Sequence, residues 1–148
     1  MNNHEKVEVL LVEDNPNDVE LTLRALKKNN LVNDIHVVTD GAQALEYVFC
    51  AGAYSGRDIK VPPRVILLDL KLPKVDGKEV LRRIKSDERT KAIPVVVLTS
   101  SQEERDVIAS YQLGVNSYIV KPVDFEKFVN MIAELGLYWV VINKQPVA

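Results

Sequence analysis

Four strand-length stretches of this chain, three of them wholly apolar, each end in side chains that can handle charge. Val65-Ile66-Leu67-Leu68 ends at Asp69, and Val9-Leu10-Leu11-Val12 runs into Glu13-Asp14. Val95-Val96-Val97-Leu98 runs into Thr99, and Ser117-Tyr118-Ile119-Val120 ends in Lys121-Pro122. A short, wholly apolar strand belongs in a parallel sheet covered on both faces. A polar residue at its end then stands at the rim, where open α/β sheets bind ligands. Three carboxylates, a hydroxyl and an ammonium are therefore expected in one site. Two carboxylates about 4 Å apart repel by roughly 4 kcal/mol at an effective dielectric near 20, so the gathered set calls for a cation. Few, hard, anionic oxygen ligands suit Mg2+, which keeps several waters and is often shared with a phosphate. Glu13, Asp14 and Asp69 are the candidate ligands. A carboxylate beside such an ion can also act as a nucleophile and form an aspartyl phosphate. Thr99 can hydrogen-bond one phosphoryl oxygen and Lys121 can pair with another. Metal and ammonium together would offset the charge that the phosphoryl group brings.

The elements that must position these residues alternate between strand and helix. Val7 to Val12 reads as a strand. Asn15 then caps a helix with Pro16 at its first position, where the missing N–H costs nothing, and Val19, Leu23 and Leu26 follow at helical spacing. Asp34 to Thr39 is a second strand, and Asp40-Gly41 turns into a helix holding Ala44, Leu45 and Val48. A polar loop with two Gly and two Pro occupies Gly52 to Pro63. Val65 to Leu68 is the third strand, Lys78 to Lys85 a short helix, and Pro94 to Leu98 the fourth strand. Ser101-Gln102-Glu103-Glu104 forms a capping box that starts another helix. Ser117 to Val120 is the fifth strand. Phe125, Phe128, Val129 and Ile132 then mark a last helix at i, i+3, i+4 and i+7. This fivefold alternation predicts a doubly wound parallel sheet with helices on both faces.

With 148 residues the chain is long enough for one ordinary domain. Nineteen basic against 21 acidic residues leave no basic stripe of the kind nucleic acid binders carry. No apolar run is long enough to cross a bilayer, and residues 1–6 lack the apolar core of a signal peptide. A single cysteine, Cys50, excludes an internal disulfide. These features lead us to expect a cytoplasmic protein without membrane or nucleic acid partners. Residues 1–6 are expected to be a disordered N-terminus, 7–135 one domain, and 136–148 a C-terminal extension.

In order and in context, these residues resemble the receiver domains of two-component response regulators over roughly Lys6 to Leu135. The resemblance rests on the acidic pair Glu13-Asp14, on Asp69, on Leu72-Pro73 with Asp76-Gly77, on Thr99-Ser100 and on Lys121-Pro122. It implies a flavodoxin-like (βα)5 fold with strand order 2-1-3-4-5. It further implies Mg2+-dependent phosphoryl transfer from a sensor histidine kinase to Asp69, with Thr99 moving toward the phosphoryl group. Tyr118 matches the aromatic that turns inward as Thr99 moves, and the Lys121–Pro122 bond is expected to be cis. By the same resemblance Lys71, Ser100 and Ser101 tune the lifetime of the phosphoryl group. The Gly52–Pro63 insertion and the apolar tail Leu135 to Asn143 look like those of single-domain receivers paired with bacterial phytochromes. Such receivers are often homodimers, which makes Tyr138 and Trp139 candidate dimer contacts and leaves a downstream protein partner to be identified.

Bland readings stand beside these. Glu13 to Pro16 can be only a turn and helix cap, Tyr118 a packing tyrosine, and Tyr138-Trp139 a segment packed on its own domain. His36, among apolar neighbours in the second strand, reads as solvent-facing or packing, and Cys50 as packing. Arg82-Arg83 with Lys85 reads as a solvated helix face. No His or Cys pair has zinc-ligand spacing. Three other functions compete. A Mg2+-dependent aspartyl phosphatase would want an acid where Lys71 stands. An FMN carrier would want a phosphate-cradling loop where Glu13-Asp14 stand. A receiver-fold interaction module acting without phosphorylation would not need the complete acidic, hydroxyl and lysine set.

Overall fold

The computed structural model describes residues 8–28, 34–99, 109 and 111–136. Five strands form one parallel sheet: β1 (Glu8–Val12), β2 (Asp34–Val38), β3 (Val65–Asp69), β4 (Val95–Thr99) and β5 (Ser117–Val120), in the order β2-β1-β3-β4-β5. Four helices are described: α1 (Pro16–Lys27), α2 (Gly41–Phe49), α3 (Gly77–Ser86) and α4 (Phe125–Leu135). Helical backbone also occurs at Ala109, Tyr111 and Gln112. The capping box expected at Ser101 lies outside the described residues, as do Ser100, Tyr138 and Trp139. The sheet is the flavodoxin-like arrangement that the alternation and the resemblance imply.

The apolar runs are explained by two cores. Successive residues of a strand point to opposite faces, so Val9, Leu11, Val65, Leu67, Val96 and Leu98 pack with Leu26, Phe128 and Ile132 of α1 and α4. Leu10, Val12, Ile66, Leu68, Val95 and Val97 pack on the other face with Leu45, Val48, Val80, Leu81 and Ile84 of α2 and α3. Every residue of β3 and β4 is buried. No face is left for a polar residue until the strand ends, which is why the chemistry-bearing residues gather there.

Local signals set the helix starts. Asn15 caps α1 by accepting from the N–H groups of Asn17 and Asp18, Asp40 caps α2 through the Gln43 N–H, and Asp124 caps α4 through the Lys127 N–H. Each cap satisfies amide donors that the first helical turn leaves without intrahelical partners. At Gly77, which opens α3, an added Cβ would lie 2.5 Å from the Asp69 carbonyl oxygen and from the Leu70 Cα. Only glycine lets this helix start so close beneath the end of β3.

Two sequence readings change. Lys85 does not share a solvated face with Arg82 and Arg83. Its ammonium donates to the Lys91 carbonyl (3.1 Å), the Ile93 carbonyl (2.8 Å) and Asn116 Oδ1 (3.1 Å), a strut between the end of α3 and the entries to β4 and β5. Its burial lowers its pKa. The Gly52–Pro63 segment is also more than a polar loop. It opens with a 3-10 turn, Gly52–Tyr54, whose Tyr54 hydroxyl lies 3.0 Å from His36 Nε2. His36 stacks on Tyr47 with ring centroids 4.5 Å apart, so it packs. The Arg57 guanidinium lies 3.8 Å from the centre of the Tyr47 ring and bonds the Tyr47 and Val61 carbonyls.

Candidate functional site

The strand register brings the polar strand ends together. Val12 pairs with Leu68, Asp69 with Leu98, and Thr99 with Val120. Glu13, Asp69, Thr99 and Lys121 therefore follow one another across β1, β3, β4 and β5 at the C-terminal edge of the sheet. Glu13 has no exposed surface, and Asp69 and Thr99 are buried at 5% exposure each. Asp14 is exposed. Glu13, Asp14 and Asp69 each offer a carboxylate oxygen, and these oxygens lie within 4.8 Å of one another.

The ammonium of Lys121 sits among the acids. It donates to Glu13 Oε1 (2.9 Å), Asp18 Oδ2 (3.0 Å) and Asp69 Oδ2 (3.1 Å). Its backbone is held as well, its N–H bonding the Thr99 carbonyl at 2.7 Å, and the Lys121–Pro122 peptide is cis. Asp69 Oδ1 accepts the Lys71 N–H at 3.0 Å, and Glu13 Oε2 accepts the Asn15 N–H at 3.1 Å. Asp18, in the first turn of α1, is the member of this group that sequence reasoning missed. An acid in a first helical turn is explained locally by the helix dipole, so its spacing gives no sign of a lysine 103 residues away.

The electrostatics of the set suit a cation. Burial pushes the Glu13 carboxyl up to about 7, against the pull of Lys121 and with the added repulsion of Asp69. Burial alone would lower the Lys121 ammonium, but its bonds to Glu13, Asp18 and Asp69 raise it instead. One ammonium among four acids leaves negative charge uncompensated. A hard divalent ion fits oxygen donors of this kind.

Tyr118 is 38% exposed on β5, its ring edge-on to Tyr111 with centroids 5.7 Å apart. Cys50 ends α2 in left-handed conformation (φ 55°), with its sulfur 3.4 Å from Arg57 Nη1. Neither residue is among the partners of the acidic cluster.

This sheet, with acids, a hydroxyl and a lysine at its carboxyl edge, is that of a phosphorylation-signalling receiver. Residues 9–133 match the response regulator receiver domain, and the chain belongs to that family. It is 44% identical over 138 residues to a probable methanogenesis regulatory protein, FilR2, of Methanothrix harundinacea, covering 93% of this chain and 86% of the relative. It is 40% identical over 140 residues to response regulator Rcp1 of Synechocystis, covering 95% and 93%. Among solved structures, the bacteriophytochrome response regulator RtBRR superposes with a TM-score of 0.84 at 55% identity, covering 95% of this chain and 84% of that one. An Mn2+-bound form of Rcp1 superposes at 0.75 with 38% identity, covering 95% and 99%. The phosphorylated cyanobacterial phytochrome response regulator RcpA superposes at 0.77 with 38% identity, covering 96% and 99%. Among the described residues no helix is long and apolar enough to cross a membrane.

Proposed function

We propose that this chain is a single-domain response regulator whose Asp69 accepts a phosphoryl group from a sensor histidine kinase. The observation that carries this reading is the meeting of Glu13, Asp14, Asp69 and Lys121 at one sheet edge. Asp69 supplies the nucleophilic carboxylate oxygen, which bonds to phosphorus as the bond to the donor breaks. Lys121, already 3.1 Å from Asp69 Oδ2, neutralises charge on the transferred group. Glu13, Asp14 and Asp69 would hold Mg2+, which when bound supplies charge neutralisation at the phosphoryl oxygens. The Lys71 N–H fixes Asp69 Oδ1, and the exposed Lys71 side chain governs access and the lifetime of the adduct. Ser100 and Ser101 share that role. The chain catalyses only its own phosphorylation and dephosphorylation.

Phosphorylation draws Thr99 toward the group and lets the half-exposed Tyr118 turn inward. The surface around β5 then changes, and a downstream protein partner reads it. The relatives named for phytochromes support a phytochrome as the kinase, and the apolar tail supports a homodimer with Tyr138 and Trp139 at its contact. The kinase reading supports a cytoplasmic location. We assign the domain to 7–135 and the extension to 136–148.

The test is intact mass after incubation with Mg2+ and acetyl phosphate. A single phosphoryl adduct on the wild type, absent in Asp69→Asn and with EDTA, is the expected result. A full adduct on Asp69→Asn, or labelling indifferent to EDTA, would overturn the assignment. Light scattering tests the dimer, and a monomer with and without phosphorylation would refute it.

A further inference from the structure

An ammonium has three N–H donors, and each donor of Lys121 has a carboxylate: Glu13 at 2.9 Å, Asp18 at 3.0 Å and Asp69 at 3.1 Å. The three partners are not equivalent. Glu13 and Asp69 belong with Asp14 to the cluster whose oxygens lie within 4.8 Å of one another. Asp18 stands outside it. A divalent cation in that cluster competes with the ammonium for Glu13 and Asp69. A phosphoryl group on Asp69 removes one of the same oxygens. Asp18 is the partner that neither event takes away.

We infer that Asp18 is a positioning residue, the anchor that keeps Lys121 aimed into the site once a cation engages Glu13 and Asp69. The inference rests on the reading of Asp69 as phosphoacceptor. Asp18 is well placed for the task. It sits in the first turn of α1 behind Pro16, and its own N–H is bonded to Asn15 Oδ1 at 3.2 Å. The backbone carrying the anchor is thus fixed by the cap and by the restricted proline φ. The helix start already has its cap in Asn15, so an acid at Asp18 adds little there beyond its favourable place in the helix dipole. The side chains of Asp18 and Lys121 are 28% and 10% exposed, so the bond is sheltered but not sealed. It survives changes at the buried acids, because Asp18 is carried by α1 while Glu13 and Asp69 lie at the ends of β1 and β3.

The experiment uses the full chain labelled with 13C-lysine. The Lys121 Cε–Hε signals are assigned by their loss in Lys121→Arg. Wild type and Asp18→Ala are recorded without metal and with saturating Mg2+, and the initial rate of adduct formation from acetyl phosphate is measured by mass. Without metal, both proteins should show an ordered Lys121, since Glu13 and Asp69 still hold it. With Mg2+, the wild type should stay ordered while Lys121 of Asp18→Ala becomes motionally averaged. Adduct formation should slow about fivefold, the equivalent of about 1 kcal/mol for a partly exposed ion pair. A helix-dipole role alone would lower stability in both conditions and leave the Mg2+ response of Lys121 unchanged. The inference is overturned if Lys121 of Asp18→Ala responds to Mg2+ as the wild type does, or if the wild type forms the adduct and the variant forms it at the same rate. If the wild type forms no adduct while the Lys121 signals behave as expected, the phosphoacceptor reading falls and the anchor stands.

Discussion

Replacing Glu13 by Gln should favour the metal-free protein far more at pH 8 than at pH 5. Glu13 has no exposed surface, and its burial raises its carboxyl from an ordinary 4.5 to about 7. Below pH 4.5 the folded and unfolded chains both carry the proton, and the group contributes nothing to the pH dependence. Between 4.5 and about 7 the folded state holds more protons than the unfolded state, so stability falls as pH rises. Above that window the whole cost is present. At about 1.36 kcal/mol per tenfold in proton affinity, ionised Glu13 costs the folded state about 3 kcal/mol. Gln does not titrate, and its one amide oxygen serves either the Asn15 N–H or the Lys121 ammonium while its NH2 faces the other, a loss that is the same at both pH values. Urea titrations in EDTA, followed by circular dichroism and extrapolated linearly, should therefore show the difference between variant and wild type changing with pH. Between pH 5 and pH 8 it should move in the variant's favour by about 2–3 kcal/mol. Adding Mg2+ at pH 8 should narrow the gap, because an ion that binds only the folded state stabilises it and Gln offers that ion no charge. A constant offset between the two proteins at pH 5 and pH 8, or a wild type that gains on the variant as pH rises, would refute the reasoning.

Gly77→Ala should shift the start of α3, because its Cβ would lie 2.5 Å from backbone atoms of Asp69 and Leu70. The expected loss is about 1–3 kcal/mol in urea titration, with slower phosphoryl labelling of the displaced Asp69. Lys85→Met should keep the buried stem but leave the Lys91 and Ile93 carbonyls and the Asn116 side chain without their donor. It should cost about 1–3 kcal/mol by the same titration and leave labelling at its wild-type rate. Arg57→Ala should remove the bonds to the Tyr47 and Val61 carbonyls and the contact with the Tyr47 ring. Hydrogen exchange in residues 52–63 should then accelerate, while exchange in β3 and β4 stays unchanged.

Much of this protein is determined along the chain itself. Apolar runs of four residues that end in Glu13, Asp69 and Thr99 specify buried parallel strands, because a strand covered on both faces can place a charged side chain only at its end, whereas the edge strand before Lys121 is only partly buried. Asn15, Asp40 and Asp124 mark helix starts, because capping is a bond between a side chain and amides two or three residues away. These effects are local, and the spacing of residue types is enough to express them. The strand order was carried by resemblance to a family, not by periodicity, and the pairing in the sheet agrees with it. The partners of long side chains are another matter. Asp18 looked like an ordinary first-turn acid and proved to hold Lys121, and Lys85 looked solvated and proved to bridge two strand entries. His36 read as either solvent-facing or packing, and Tyr47 and Tyr54, closing on it from α2 and the loop, make it a packing residue. Flexible side chains reach several ångströms from their backbone, so which groups they meet depends on how whole elements pack. Only the tertiary structure sets those distances, and with them the charge balance that turns a row of strand ends into a site.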